Sequence, residues 1–248
     1  MRFLRDPNFP LKPGSFPFFY GWWILVASSV GIVASIPGQT MGFSVFTELL
    51  KEALGLNSSA ISAAYLVGTV AGGLLLPISG VWFDRFGARA LGCATTLAMG
   101  AGLLFLSQVD RIAQGIHATL PVLPSAMVSF ATVGVGFFWV RFTGQGVLTM
   151  TSRAMLGKWF DHYRGLALSI SGVVVGFSFS LAPSALDWMI HHLSWRGAWI
   201  ALAVAMLTVV VTFIWVSFRD NPEECGLVMD GGRQPKMPRK SNPDLLIR

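Results

Sequence analysis

Stretches of 18 or more residues with almost no charged side chain recur along this chain, each long enough as a helix to cross a hydrocarbon core of roughly 30 Å. Six spans follow, at residues 18–46, 59–81, 90–108, 127–156, 165–190 and 198–218. The first and fourth exceed what a crossing needs, which predicts tilting, kinking or extension beyond the hydrocarbon. Pro37 and Gly38 inside the first span would loosen its helical ladder, and Pro77 and Pro183 would do so near the ends of the second and fifth. Residues 110–124, with two prolines, read as a loop. The Pro-, Gly- and Lys/Arg-rich tail from Arg219 reads as a linker. The chain therefore divides into a cytoplasmic N-terminal segment (1–17), a six-helix transmembrane bundle (18–218) and a cytoplasmic tail (219–248), an all-α membrane fold.

Composition agrees with the pattern. Charged residues make up 12% of the chain and apolar ones 53%, against about 25% charged in soluble domains. The net charge of +6 raises a nucleic-acid reading, but the basic residues flank apolar spans instead of clustering on a soluble face, so no nucleic-acid partner is predicted. An amino-terminal cytoplasm places Arg2, Arg5, Lys12, Arg85, Arg89, Arg153, Lys158, Arg164 and the basic tail on one side, and only Lys51, Arg111 and Arg196 on the other. The positive-inside rule then predicts an integral protein of the cell (inner) membrane with both termini cytoplasmic. Eight of the nine tryptophans fall at predicted span ends, where indoles favour the interface. The apolar run after Arg2, Arg5 and Lys12 is longer than a signal-peptide core and lacks a clear cleavage site, so it reads as a retained first span. Cys225 is expected on the cytoplasmic side, open to an impermeant thiol reagent once the membrane is breached, whereas Cys93 in the third span should label slowly.

Candidate chemistry is sparse. Cys93 and Cys225 are far apart, and His117, His162, His191 and His192 lie in loops or at span ends without a partner for zinc or triad chemistry. No phosphate-binding glycine loop is present. The reading is a non-enzyme with no metal and no cofactor. The informative residue is Arg141, in a stretch whose only other charge is Arg153 near the inner end. A cation at mid-membrane costs roughly 2.5–3.5 kcal/mol on insertion scales, so it faces a protein interior or a hydrated cavity. Gln145, one turn on, shares its face. Ser28, Ser35 and Gln39 form a polar stripe on the first span. Gly172 and Gly176, within a small-residue stripe running from Gly165 to Pro183, let a neighbouring helix approach closely. Between the second and third spans, the loop from Gly80 through Asp84, Arg85 and Gly87 to Arg89 is short enough to need glycine turns, and Asp84 can cap the next helix or pair with an arginine.

That loop resembles the G-x-x-x-D-R-x-G-x-[RK] motif between the second and third helices of major facilitator superfamily transporters, matched by Gly80, Asp84, Arg85, Gly87 and Arg89, while Ala88 stands at a position that is often basic. The run Arg141-Phe-Thr-Gly144-Gln145-Gly146 resembles the fourth-helix motif of the same superfamily. Trp159-Phe160, Arg164-Gly165 and the stretch from Arg219 to Leu227 resemble its monocarboxylate and oxalate/formate branch. The resemblance covers nearly the whole chain. It implies one half of a twelve-helix fold, whose two halves enclose the substrate.

The resemblance further implies a secondary carrier, or its N-terminal half, moving a small organic anion by alternating access. Arg141, Gln145 and Gln39 would contact the substrate, while Gly80, Asp84, Arg85, Gly87 and Arg89 would form the cytoplasmic gate. The expected partners are a small-molecule substrate, a coupling proton, the lipid bilayer, and a second six-helix half or another copy of the chain. The other reading is a truncated, non-transporting membrane protein or assembly partner.

Overall fold

The computed structural model describes residues 8–232. Arg2, Arg5 and the basic tail residues beyond 232 lie outside the described residues. In chain order the helices are α1 (Gly21–Ala34), α2 (Thr40–Ser44), α3 (Thr47–Leu54), α4 (Ser58–Ser107), α5 (Val109–Thr119), α6 (Ser125–Arg141), α7 (Thr149–Trp159), α8 (Arg164–Ala205) and α9 (Val211–Ser217). Wider, π-helical stretches at Phe142–Leu148 and Met206–Val210 join α6 to α7 and α8 to α9. Three continuous runs, Ser58–Ser107, Ser125–Trp159 and Arg164–Ser217, are long and apolar enough to cross a membrane.

At about 1.5 Å per residue, runs of 50 and 54 residues are each more than twice the length of one crossing. Each breaks once. Gly87 in α4 has φ 80° and ψ 170°, and Ser194 in α8 has φ 63° and ψ 166°. Neighbours show that the chain reverses at these points. A β-carbon on Gly68 would touch Phe137 and Phe138, and one on Gly102 would touch Trp139 and Val140, so both limbs of α4 run beside the same level of α6. Likewise Ala182–Met189 and Leu202–Val210, on the two limbs of the Arg164–Ser217 run, flank one cavity against Val33–Pro37. With the α1–α2 segment and the α6–α7 run, these limbs make six crossings. Glycine at 87 has no β-carbon to oppose the positive φ.

Several local expectations need correction. Residues 80–86 are helical, and Gly80 makes no turn: only Gly87 does. Residues 109–119 form helix α5, not a loop. Val109 and Ala113 bury one side of it, and the Asp110 carboxylate accepts from Arg196 Nη2 at 2.5 Å. Pro77 and Pro183 lie inside uninterrupted helix, whereas Pro37 and Gly38 do break theirs, into a 3-10 turn at Ile36–Gly38. Trp159 and Trp199, at predicted span ends, are fully buried in protein. Trp199 stacks on Phe46, and Trp159 donates to the Arg219 carbonyl.

The tail is not a bare linker either. Arg219 is 1% exposed and donates to the carbonyls of Val216, Phe218, Phe9 and Leu11. Burial and then the neighbouring Arg89 lower its guanidinium to about 10, so it remains a cation at neutral pH. Asp230 accepts from the backbone N–H groups of Asp161, His162 and Tyr163, closing the turn that leads into α8. Both ends of the described chain thus meet at the Gly87 end of the bundle, where Tyr20 also donates to the Ser217 carbonyl.

Burial changes the expectation for Cys225. It is 8% exposed, and burial raises its thiol to about 11. Only thiolate reacts fast, so Cys225 should label slowly below that pH even after the membrane is opened. Glu223→Cys, at an exposed position two residues away, is expected to label readily. Rapid alkylation of native Cys225 at pH 7 in the intact fold contradicts this packing.

Candidate functional site

The turn at Gly87 removes a side chain from the place where the following helix needs its N-cap. Asp84, three residues earlier and still helical, does not supply it. Asp220, just past α9, does: its carboxylate accepts from Ala88 N and lies against Gly87. Burial raises the Asp220 carboxyl above its ordinary value, partly offset by that backbone hydrogen bond. Arg89 is 2% exposed and donates from Nε to the Phe218 carbonyl at 3.1 Å. Gly87 and Arg89 therefore tie the third crossing to the sixth within this bundle. Asp84 and Arg85 stay exposed beside a cavity of about 290 Å³ that Lys158, Asp220 and Glu224 also line. A cap replaced by alanine costs about 0.5–2 kcal/mol, so Asp220→Ala should lower the melting temperature by roughly 1–8 °C. Asp84→Ala should leave it unchanged, and equal losses in the two variants would refute the assignment of the cap.

Deep in the bundle, Arg141 ends α6 with 9% exposure. Its Nη1 donates to Thr40 Oγ1 at 3.2 Å and to the Tyr65 hydroxyl, and its guanidinium lies 4.6 Å from the Tyr65 ring centroid. Tyr65 in turn donates to Thr40 Oγ1 at 2.9 Å. Both partners, Thr40 and Tyr65, are neutral, and none of the ion pairs among the described residues includes Arg141. Thr40 and Tyr65 wall a cavity of about 190 Å³ that Phe43, Ser44, Thr47, Ile61 and Ser62 complete. A cation held by hydroxyls and a ring face, with no carboxylate to neutralise it, retains its attraction for an anion.

Gln39 and Gln145 behave differently from one another. Gln39 is buried, and its Nε2 donates to Ser35 Oγ at 2.9 Å and Thr149 Oγ1 at 3.3 Å. With Ser28 donating to the Ser152 carbonyl, the polar stripe of the first crossing is turned onto α7 instead of a cavity. Gln145 is exposed and lines a cleft of about 770 Å³ with Thr149, Arg153 and Arg164. Gly172 and Gly176 are exposed, and nothing among the described residues lies within 4 Å of a β-carbon built on either. Within the bundle a close backbone approach occurs at Gly38 and Gly144, whose Cα atoms face each other where the 3-10 turn meets the π-helical stretch.

Two residues of the Arg141 cluster, Tyr65 and Thr40, escaped the sequence reading. A signal existed for Tyr65, the one tyrosine inside the second span, because a phenol buried among apolar helices needs a polar partner. Thr40 had no such signal.

The sequence profile of the Major Facilitator Superfamily matches residues 28–227. Among curated proteins, the chain is 25% identical over 164 residues to the oxalate:formate antiporter of Oxalobacter formigenes, covering 65% of this chain and 34% of that one. It is 24% identical over 193 residues to monocarboxylate transporter 13 of Bos taurus, covering 77% and 41%. It is also 24% identical over 204 residues to the riboflavin transporter RibJ of Trypanosoma brucei brucei, covering 80% and 33%. The chain thus spans about a third to two fifths of the length of these relatives.

Proposed function

The chain belongs to the Major Facilitator Superfamily, and from that premise we propose that it acts as the N-terminal half of a secondary carrier moving a small organic anion by alternating access. It is an integral membrane protein built of apolar helices. The observation that carries the anion reading is Arg141, a buried cation whose described partners are all uncharged. Relatives named for oxalate, formate and monocarboxylate are consistent with it. Arg141 binds the carboxylate, Tyr65 and Thr40 hold the guanidinium in place, and Gln145 meets the solute from the neighbouring cleft. Gln39 positions the first crossing against α7. At the Gly87 end, Asp84 and Arg85 meet a second six-helix half or another copy when the carrier closes, while Gly87 and Arg89 keep the third crossing in register. The excess of basic residues at that end supports its placement in the cytoplasm of an inner-membrane protein, and a proton is the coupling ion proposed.

The test is counterflow of labelled formate, oxalate, lactate and pyruvate in proteoliposomes holding the chain with a complementing six-helix half. Saturable, anion-selective exchange is expected, with none from the chain alone. Exchange of neutral solutes that carboxylates do not inhibit would refute the anion reading. Saturable counterflow by the chain alone would remove the requirement for a second half.

A further inference from the structure

We propose that Arg153 and Arg164 form a second, shallower anion station at the Gly87 end of the same face that carries Arg141. It would receive the carboxylate before or after the deep site. This inference rests on the anion reading above and extends it to residues whose charges otherwise look merely topogenic.

The geometry begins with the π-helical stretch. Twelve residues separate Arg141 from Arg153, about three and a third turns of α-helix, which would put the two side chains on different faces. The i→i+5 bonding of Phe142–Leu148 absorbs about one extra residue. The separation becomes close to three turns, and Arg153 returns to Arg141's face roughly 16–18 Å away. A cleft runs beside Arg153 along this part of the helix. Gln145, Thr149, Arg153 and Gly157, every fourth residue, all line it.

Charge follows the same line. The cleft of about 770 Å³ is completed by Leu76 and by Arg164 and Leu168 of α8, and its lining includes no carboxylate. Arg153 is exposed, and no ion pair among the described residues includes it. Arg164 is held by neutral acceptors, Nε on the Phe160 carbonyl and Nη2 on the Gly157 carbonyl, both at 3.1 Å. That pins its planar fork at the mouth of the cleft without cancelling its charge. Two uncancelled guanidinium groups on one concave surface raise the local concentration of anions. Gln145 and Thr149 offer polar side chains between this mouth and Arg141. The chemistry recognised is a small mono- or dicarboxylate.

The test reads local potential and needs no transport. Leu168→Cys places a thiol in the cleft at an exposed position, while native Cys93 and Cys225 are buried. The chain, in nanodiscs of zwitterionic phosphatidylcholine at low ionic strength, is treated with anionic and cationic methanethiosulfonates of matched size. Relative to a free thiol, the anionic-to-cationic rate ratio should rise about tenfold. Arg153→Gln should remove most of that rise and Arg153→Glu should invert it. Both replace an exposed side chain, and melting curves check that the fold is kept. Millimolar oxalate should slow labelling in the parent and not in Arg153→Gln. Arg141→Gln should leave the ratio in place, so failure of the deep site and failure of this station are read separately. A ratio at the free-thiol value, or one that Arg153→Glu does not move, would overturn the proposal.

Discussion

Arg141→Gln is expected to weaken anion binding about a hundredfold or more at matched expression, the largest functional effect anticipated for a single substitution in this chain. A hydrogen bond to a charged group contributes about 1.5–3 kcal/mol, and a guanidinium offers a carboxylate two in parallel. Nη1 is occupied by Thr40 and Tyr65, which leaves the guanidinium's other donors for a ligand and fixes their direction. Arg141→Lys keeps the charge but loses the fork, and about a tenfold loss is expected. Tyr65→Phe retains the ring beneath the guanidinium and removes the hydroxyl, so it should disturb affinity less than either. The competing account gives Arg141 a structural role, tying α6 to the first and second crossings through Thr40 and Tyr65. Under that account Arg141→Gln lowers the melting temperature while anion affinity in the surviving protein stays at the parent value. Affinity and thermal stability measured on the same preparations separate the two, and unchanged affinity returns Arg141 to the scaffold.

The crossings were legible because bilayer thickness imposes a length and an apolarity that any sequence must meet locally. Arg141 was legible for the same reason, since a charge inside an apolar stretch is conspicuous without knowledge of its neighbours. Residues whose role depends on a partner distant in sequence were not. Asp84 and Asp220 are both acidic residues near span ends, and nothing local distinguishes the cap from the exposed one. Only the reversal at Gly87, which brings Ala88 to the end of α9, selects Asp220. Gln39 and Gln145 were alike in the same way, two amides near mid-span. The break at Ile36–Gly38 sends one onto α7, and the π-helical stretch leaves the other in a cleft. Arg153 looked like ordinary inner-end charge because an α-helical wheel places it off Arg141's face. The extra residue taken up between them is invisible to a fixed period of 3.6.

Glycines at the contact between the first and fourth crossings give the second large effect. Gly38→Val is expected to lower the melting temperature by roughly 6–12 °C, or to prevent accumulation of folded protein, on overpacking costs of about 3 kcal/mol. A β-carbon at Gly38 would lie 2.5 Å from the Val140 carbonyl oxygen and 3.0 Å from the Gly144 Cα. Both are backbone atoms and cannot rotate aside as a flexible side chain would. Relief requires the first crossing to move away from the fourth, which would pull Gln39 and Ser35 from Thr149 and Thr40 from Arg141. Gly144→Val should behave similarly, because its β-carbon would meet the Gly38 Cα at 3.1 Å and Met99 Sδ at 3.2 Å. The smaller Gly38→Ala tests the same contact if the valine variants do not accumulate, with a smaller fall in melting temperature. Gly172→Ala and Gly176→Ala meet open space and, because alanine favours helix over glycine by about 1 kcal/mol, should leave the isolated chain as stable or more so. If those two glycines serve a helix of a second half, larger side chains there should impair assembly with it while sparing the fold of this one. A Gly38→Val protein as stable as the parent would contradict the backbone contact between the first and fourth crossings, and with it the geometry that brings Thr40 to Arg141.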